Sequence, residues 1–590
     1  LGKGMTSDGT HVTNGFQPLY VFLMVPVYLL VPPDNLVLPV HIACTLLALA
    51  GTAAAGIFYL IALRLFSRTA ALCVLFFFTI SHYFVATDVN GLETALYGLT
   101  LAATLYYYLT RLVGVGSPTD ESSAAFQSAI PDPQSSIVNR QSAIARRSPS
   151  IGQCVTLGIL AGLTVLARVD AVIFVVCVAL HFLWRGFFRP SWTLVPSAPA
   201  PQGLRPGLPS LVPPGLNSET LDTHKAVGHP GNRQSSIVNP QWLGAVGAAA
   251  FLVTLAPWLA VNLVLCKTII PDSGPAVRFI ALQNGWHNVG NLIGYVGPER
   301  FPVHDVPWEY YANNVLRYAV QLLSFLPITA HAQGFSPCYL ARPADRFPLG
   351  RLVAHAPGAF LVLLGLLTVV VLIAPAILGQ RRRPVRPGLG AVAFLRFAMV
   401  GWIAAYAFYV LCPWFSHRYL YPVLALLTLG SGAVVDVFLD ASLGNRRLLR
   451  RAVLGLGVAA YAFLFITQAG HYYARDCASE EPDPYTPVLH WVRTHLPADA
   501  VIGCFQSGVL SYFLPQRCVN LDGVVNAAAL RASREKRLWD YLRRENVGYI
   551  VDWPICIERN LRPFAGVEHV PLVALYDEYA MDVYQVTDGP

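Results

Sequence analysis

Long apolar segments recur along most of the chain and stop near residue 470. Short polar or basic loops separate them, and most segments approach or exceed the roughly 20 apolar residues that a helix needs to cross a bilayer. The long segments lie at 35–63, 70–87, 92–112, 153–185, 242–265, 352–378, 391–412, 419–439 and 452–469, and two shorter ones at 16–31 and 316–332. This pattern predicts a mainly α, polytopic helical membrane protein over residues 1–469.

One of these segments is too long for a single upright span and is interrupted by charge. Segment 153–185 contains Arg168 and Asp170 in its middle. Ionisable residues are tolerated in an apolar run where a helix breaks near one membrane face. We therefore predict two helices that meet at this point, which makes about ten crossings in all.

Basic residues cluster in loops between the apolar segments and predict the orientation. The basic loops lie at 64–68, 111–147, 185–189, 380–386 and 445–451. If each long segment crosses once, 153–185 crosses twice and the two short segments lie at the membrane interface, all of these loops fall on one side. Because Lys and Arg are enriched in cytoplasmic loops, we assign that side to the cytoplasm.

Two stretches between the apolar segments have the composition of inserts. Residues 114–150 and 190–240 are rich in Ser, Pro, Gly and Gln, and both contain the hexapeptide QSSIVN. Such sequences bury too little apolar surface to offset the entropy of ordering. We expect both to be disordered cytoplasmic inserts without a catalytic role.

The pattern changes after residue 470, where charged residues alternate with short apolar runs. The patterns predict a helix at 485–496, strands at 500–505, 517–522 and 547–553, and a single helix at 530–546. We therefore expect residues 470–590 to form a small soluble α/β domain. The same count of crossings places it outside the cell, opposite the basic loops.

Composition agrees with a membrane protein and limits the kinds of partner that we expect. Hydrophobic residues make up 55% of the 590 residues and charged residues 13%, and the mean hydropathy is +0.49. The net charge of +8 comes from Lys and Arg in short loops, so we interpret it as topological and expect no nucleic-acid partner. The 11 cysteines show no metal-ligand spacing, although pairing is possible among Cys477, Cys504, Cys518 and Cys556.

Ionisable residues at the predicted outer face are the candidates for chemistry. The opening loop contributes Asn14 and Gln17, and the ionisable candidates are Asp88, Glu93, Arg168, Asp170, Lys267, Arg278, His417 and Arg418. A carboxylate can accept the proton of an acceptor hydroxyl, while Arg and Lys neutralise a departing phosphate. This combination suits a reaction of a lipid-linked sugar.

Each candidate also has a purely structural explanation. Glu93 can cap its helix, Arg168 and Asp170 can form a local ion pair at the helix break, and Lys267 and Arg418 can extend from the span ends to the interface. A fourth acidic residue, Asp522, is better explained as part of a turn with Gly523.

Several short motifs together resemble one enzyme class. They are TNGFQPLY at 13–20, RLFSRTAAL at 64–72, NGLETALYG at 90–98, LAGLTVLARVDAV at 160–172, IIPDSGPAVR at 269–278 and HRYLYPVLALL at 417–427. Over most of residues 1–440 the chain resembles GT-C membrane glycosyltransferases. It is similar to the dolichyl-phosphate-mannose protein mannosyltransferases and their bacterial relatives that use polyprenyl-phosphate sugars. The region after 470 resembles the outer domain of some uncharacterised bacterial members.

The resemblance implies a reaction and roles for the candidates. A sugar would move from a polyprenyl phosphate to a protein or glycan acceptor at the outer face of the plasma membrane, with inversion at the anomeric carbon. The catalytic carboxylates, which place acceptor or donor, would be Glu93, Asp170 and Asp88. The residues that bind the donor phosphate would be Arg418, Arg278, Lys267 and Arg168. The acceptor-side loop would contribute Asn14, Gln17 and His417. No cofactor is implied with certainty, and a divalent cation stays open.

The resemblance also predicts sequence upstream of Leu1. In that family a first span leads into an outer loop with an acidic pair, and an interfacial segment with a Pro-Leu-Tyr or Pro-Leu-Trp motif follows. TNGFQPLY resembles the end of this loop, and Asp8, the only acidic residue before the apolar segment, does not match the pair. We therefore expect the main catalytic carboxylate to lie upstream of Leu1.

Two other functions remain open. A transporter or lipid-carrier flippase would use membrane carboxylates as ion or substrate sites, but such proteins usually contain internal repeats with paired broken helices. The sequence shows only one broken span and no duplicated half, which favours the enzyme. A noncatalytic scaffold that presents the outer domain is the third possibility.

Overall fold

The computed structural model describes two regions, one helical and one with a sheet. It describes residues 5–32, 34–89, 91–114, 149–187, 240–271, 273–283, 389–409, 419, 421–430, 432, 435, 447–472, 485–567, 570–577 and 581–587. Segments 316–332 and 352–378, nearly all of the two predicted inserts, Cys477, His417 and Arg418 lie outside the described residues.

The helical region, as far as it is described, consists of twelve helices. They are α1 (Pro18–Leu30), α2 (Leu38–Leu65), α3 (Arg68–Ile80), α4 (His82–Val89), α5 (Thr94–Tyr107), α6 (Ile151–Ala167), α7 (Val172–Phe187), α8 (Pro240–Val261), α9 (Ser273–Gln283), α10 (Leu389–Tyr409), α11 (Tyr421–Gly430) and α12 (Arg447–Tyr472). Single π-helical turns extend α5 over Tyr108–Val113 and α8 over Asn262–Cys266.

By length and composition, two helices in the described part of the chain are able to cross a membrane, namely Leu38–Leu65 and Trp242–Cys266. The other apolar helices in that part include several of 10–17 residues. The helices α3 and α4 are short because the segment predicted as a single span at 70–87 is interrupted at Ser81. The total of about ten crossings therefore stays a prediction.

The predicted break inside 153–185 is confirmed. Ser150 and Gln153 form a reciprocal capping box that starts α6. The helix ends at Arg168, whose backbone is extended (φ −160°, ψ 121°), and a 3-10 turn at Val169–Ala171 leads into α7. The two helices meet at this corner.

Glycine allows a close contact between the backbones of α6 and α8. A Cβ at Gly158 would lie 2.3 Å from the carbonyl oxygen of Gly247, and a Cβ at Gly162 would lie 2.7 Å from the Thr254 side chain. Both distances are shorter than real Cβ contacts, so only glycine lets the backbones approach this closely. The packing fixes α6, and with it the corner at its end.

The C-terminal region is built on a five-stranded mixed sheet of order β2-β1-β3-β5-β4. The strands are β1 (Val501–Cys504), β2 (Arg517–Asn520), β3 (Tyr549–Asp552), β4 (Leu572–Tyr576) and β5 (Asp582–Val586), and the helices are α13 (Tyr485–His495), α14 (Ser507–Phe513), α15 (Ala527–Arg534), α16 (Leu538–Arg544) and the single turn α17 (Pro554–Cys556). β1 pairs in parallel with β2 and β3, whereas β5 pairs antiparallel with β3 and β4.

Most elements predicted here are found, but one is wrong and others, including α14 and α17, were not predicted. The predicted single helix at 530–546 is wrong, because α15 and α16 are separated at Lys536, which has a left-handed φ of 53°. The antiparallel strands β4 and β5 were not predicted. Cys504, Cys518 and Cys556 are free thiols.

This region packs against α9 and against the loop between α1 and α2. Ala276 and Phe279 of α9 belong to the hydrophobic cluster that covers one face of the sheet. The Tyr512 hydroxyl donates a hydrogen bond to the Leu36 carbonyl at 2.7 Å, between α1 and α2. These contacts join the sheet to the ends of several helices.

Candidate functional site

A buried ion pair occupies the corner between α6 and α7. Arg168 is 2% exposed, and its Nε lies 3.0 Å from Oδ1 of Asp170. The Tyr406 hydroxyl donates a hydrogen bond to Oδ2 of the same carboxylate at 2.5 Å. The guanidinium carbon of Arg168 lies 4.6 Å from the ring centre of Tyr419 and 5.7 Å from that of Tyr97. The cation is therefore held by a carboxylate and by the faces of two tyrosines.

Aromatic side chains from three helices surround this pair. Tyr97, Trp402 and Tyr421 are fully buried, and the Tyr97 ring centre lies 6.5 Å from Trp402 and 6.4 Å from Tyr421. Gly98 makes room for Tyr421, because a Cβ there would lie 2.2 Å from the tyrosine hydroxyl. With little water at the pair, electrostatic interactions at the corner are stronger than at an exposed surface.

Glu93 lies next to this corner at the start of α5. It is 7% exposed, and it lies within electrostatic range of both Arg168 and Tyr20. Glu93 occupies the N-cap position, but its side chain makes no cap hydrogen bond. Capping therefore does not explain why this carboxylate is buried.

The opening loop reaches both parts of the site. The Gln17 side-chain oxygen accepts a hydrogen bond from the backbone N–H of Val169 at 3.1 Å, within the corner. The Tyr20 hydroxyl donates to the Gly91 carbonyl at 2.6 Å, two residues before Glu93. Asn14 is fully buried in the same loop.

The remaining predicted residues have other surroundings. Asp88 is pressed against α2, where a Cβ at Gly51 would lie 2.1 Å from its Oδ2. Lys267 is exposed and left-handed (φ 57°) where the π turn after α8 ends. Arg278 lies on α9, beside the residues that pack into the sheet region. The donor-phosphate role of Arg418 stays a prediction. The acceptor-side role of His417 stays a prediction as well.

The sequence did not indicate a role for the tyrosines around the corner, because a Tyr in an apolar run is ordinarily interpreted as part of the hydrophobic core. Tyr406 lies in the middle of a long apolar segment, where sequence offers no partner for its hydroxyl. A signal was present in the tyrosines close to charged residues, as at Tyr419 and Tyr421, which lie one and three positions after Arg418. Within the described ranges, no three His, Cys, Asp or Glu side chains are grouped so that they could hold a metal ion.

Asp522 forms the turn that its sequence indicated. Its Oδ1 accepts a hydrogen bond from the Val524 N–H at 2.7 Å, and Gly523 has a φ of +81°. Burial, with a contribution from the nearby Asp552 carboxylate, raises the pKa of Asp522 to about 7. Asp552 itself accepts hydrogen bonds from the N–H groups of Phe505 and Gln506, at 2.5 and 3.1 Å.

Comparisons with known proteins give one family match and several similar structures. Residues 476–586 match a family described as a domain of unknown function, DUF8728. No curated protein sequence matches the chain.

The similar solved structures have low identity. One is an oligosaccharyltransferase from Archaeoglobus fulgidus in complex with Zn and sulfate, with 13% identity, a TM-score of 0.45 and 97% of this chain covered. The same enzyme tethered to an acceptor peptide containing the NVT sequon has 14% identity and a TM-score of 0.45, with 98% of this chain covered against 66% of its own. ArnT from Cupriavidus metallidurans in the apo state gives 14% identity and a TM-score of 0.45, with 98% of this chain and 90% of that chain covered. The chain spans 65% of the length of the first of these structures.

Proposed function

We propose that the chain is a multi-pass membrane glycosyltransferase that moves a sugar from a polyprenyl-phosphate donor to a protein or glycan acceptor at the outer face. The observation that carries the proposal is the corner between α6 and α7, where the Arg168–Asp170 pair is buried among tyrosines. Glu93 lies beside this pair, without an ion pair to any residue that the structure describes. A buried carboxylate next to a held cation is an arrangement suited to moving a proton near a departing anion.

The proposed reaction has a simple balance of bonds. An acceptor hydroxyl or amide attacks the anomeric carbon of the sugar, and the bond from that carbon to the phosphate oxygen breaks. The proton of the attacking group passes to a carboxylate, and the phosphate leaves with the bonding electrons. Attack from the side opposite the phosphate inverts the anomeric carbon.

The described residues have different roles in this reaction, according to their charge and position. Glu93 assists in placing the acceptor or in taking its proton. Asp170 and Tyr406 hold Arg168 in place, and the positive charge of Arg168 stabilises the anionic phosphate. We assign direct phosphate contacts to Arg418, with Arg278 and Lys267 as further cations along the outer loops.

A donor screen tests this proposal. Membranes containing the product of the full-length gene are incubated with a panel of radiolabelled polyprenyl-phosphate sugars, and both labelled acceptor and free polyprenyl phosphate are measured. We expect one donor to be consumed by wild type, and Glu93→Gln to reduce turnover by about 100-fold or more, the lower range for a proton-transferring group. Glu558→Gln, at an exposed carboxylate, serves as the matched control. The absence of turnover with every donor would overturn the function, and full activity of Glu93→Gln would remove Glu93 from the site.

A further inference from the structure

The segment Met5–Tyr20, here called the strap, begins on the sheet region with a buried carboxylate. The Asp8 side chain is fully buried, and its Oδ2 lies 3.3 Å from Nε and 3.2 Å from Nη2 of Arg517 on β2. Arg517 also binds Oε2 of Glu545 at 2.7 Å, and His11 Nε2 lies 3.3 Å from Oε1 of Glu545. Four charged or titratable groups thus fix the first half of the strap to this region.

The strap is also organised within itself around Asp8. An antiparallel bridge pairs Thr6 with Val12, and Asp8 Oδ1 accepts hydrogen bonds from the N–H groups of Thr10 and His11 at 3.0 and 2.8 Å. Burial alone would raise the pKa of Asp8, but the hydrogen bonds from His11 and Thr10 hold it well below its usual range. The carboxylate therefore stays charged and keeps this turn closed.

The middle of the strap fits against the sheet region and α8 without spare room. A Cβ at Gly15 would lie 2.2 Å from the carbonyl oxygen of Val524, in the loop after β2. The next residue, Phe16, packs edge-on against Trp258 of α8, with 5.1 Å between ring centres. A side chain at position 15 would therefore push the strap away from both neighbours.

The far end of the strap reaches the candidate site at two points. Gln17 accepts the hydrogen bond from Val169 in the corner, and Tyr20 donates to Gly91 before Glu93. A single run of 16 residues thus connects the sheet region to both acidic groups of the site.

We propose that the strap is a positioning element, through which the C-terminal sheet region sets the placement of Glu93, Arg168 and Asp170. Its positioning residues are Asp8, Gly15 and Gln17. None of them takes part in the reaction. Each fixes the backbone of the strap, and the backbone transmits the effect to the next contact. This proposal depends on the proposed function only where it concerns sugar transfer. The contacts themselves do not depend on which reaction the site performs.

Hydrogen exchange tests the connection without an activity assay. Full-length protein in nanodiscs is compared as wild type, Gly15→Ala and Gly508→Ala. Gly508→Ala is the control, because a Cβ added there would meet nothing within 4 Å. In Gly15→Ala we expect the amides of residues 168–172 and 91–95 to exchange about fivefold faster or more, because losing one hydrogen bond changes local opening by roughly that factor. Gly508→Ala should leave them unchanged. Unchanged exchange at the corner in Gly15→Ala would overturn the proposal.

Two further variants keep the test decisive. Should Gly15→Ala fail to accumulate, Gln17→Ala removes the contact at the corner and Arg517→Gln removes the contact at the sheet, and both should give the same faster exchange. An anchor without a positioning role predicts that Arg517→Gln loosens residues 5–13 alone, and that result would also overturn the proposal.

Activity separates this proposal from the proposed function. With a donor that wild type consumes, Gly15→Ala should lower kcat by about tenfold and leave the KM for donor within about twofold, because displaced catalytic groups affect the transition state more than donor binding. If wild type consumes no donor, the proposed function fails while the exchange experiment still decides on the strap.

Discussion

At the scale of single residues, Asp522 provides a test by pH. Its pKa is raised to about 7, above the ordinary value of about 3.9, so the folded protein binds more protons than the unfolded chain between these two values. Stability should therefore fall as the pH rises from about 4 to about 7. Asp522→Asn, which keeps an acceptor for the Val524 N–H, should show a weaker fall of the thermal unfolding midpoint between pH 5 and 8.

Asp552 also contributes to the pH dependence of stability, so the same experiment needs a control. Burial raises the pKa of Asp552 as well, so part of the pH dependence should persist in Asp522→Asn. Asp540→Asn, at an exposed acid on α16, should follow wild type. Identical pH profiles for wild type and Asp522→Asn would show that this carboxyl is not destabilised by its surroundings.

Arg418 is the strongest expectation for a donor-phosphate ligand, argued from residue chemistry. Arg presents a planar fork that can bind two phosphate oxygens, and Lys does not. Arg418→Lys should weaken donor binding or turnover by about tenfold or more, which corresponds to roughly 1.4 kcal/mol. The assay uses subsaturating donor, with the exposed Arg562→Lys as control. Full transfer activity in Arg418→Lys would favour a residue that merely extends to the interface.

At the scale of elements, the contact between α6 and α8 gives a stability prediction. Gly158→Ala places a methyl group where the Gly247 carbonyl lies, and such overpacking costs about 1–3 kcal/mol, partly offset by the better helix propensity of Ala. Gly455→Ala in α12 gains the propensity alone, since nothing lies within 4 Å of its added Cβ. We expect the thermal midpoint to fall for Gly158→Ala and to stay or rise for Gly455→Ala. Equal midpoints would show that the two helices separate at no cost.

Elements were predictable where the local pattern decides the structure. The break at Arg168 follows from two charges in an apolar run, and β1 to β3 follow from short alternating runs. The break at Lys536 was not predictable, because the sequence SREKR favours a helix and only the packing of α15 and α16 on the sheet interrupts it. Ser81 had a weak signal in the polar pair Ser81–His82, which the surrounding apolar residues obscured.

The site was predictable only in part, for a related reason. Glu93, Arg168 and Asp170 stand out as charges in apolar surroundings, and the structure brings them together. Tyr406 and Tyr97 do not stand out, because their role depends on which helices become neighbours. Asp8 was recognised as the one acid before the apolar segment, but nothing near it in sequence indicates Arg517 as its partner.

At the scale of the whole molecule, the two predicted inserts should be dispensable. Residues 114–150 and 190–240 have too few apolar side chains to offset the entropy of ordering. A chain without both should insert in the membrane and unfold at the same temperature as wild type, measured by protease protection and by thermal unfolding in detergent. A loss of folded protein would show that the inserts pack against the helices.

The contact between Asp8 and Arg517 joins residues 509 positions apart. A growing chain emerges from the ribosome from its N-terminus, so Asp8 is made 509 residues before its partner Arg517 on β2. While those residues are made, the strap has no contact with Arg517, although Asp8 can still bind Thr10 and His11 within the strap. Gln17 can reach Val169 much earlier, but the strap is held at both ends only after β2 has joined the sheet. Completion of the C-terminal region thus becomes a condition for the final geometry of the corner, and a chain that ends early leaves that corner without its distant support.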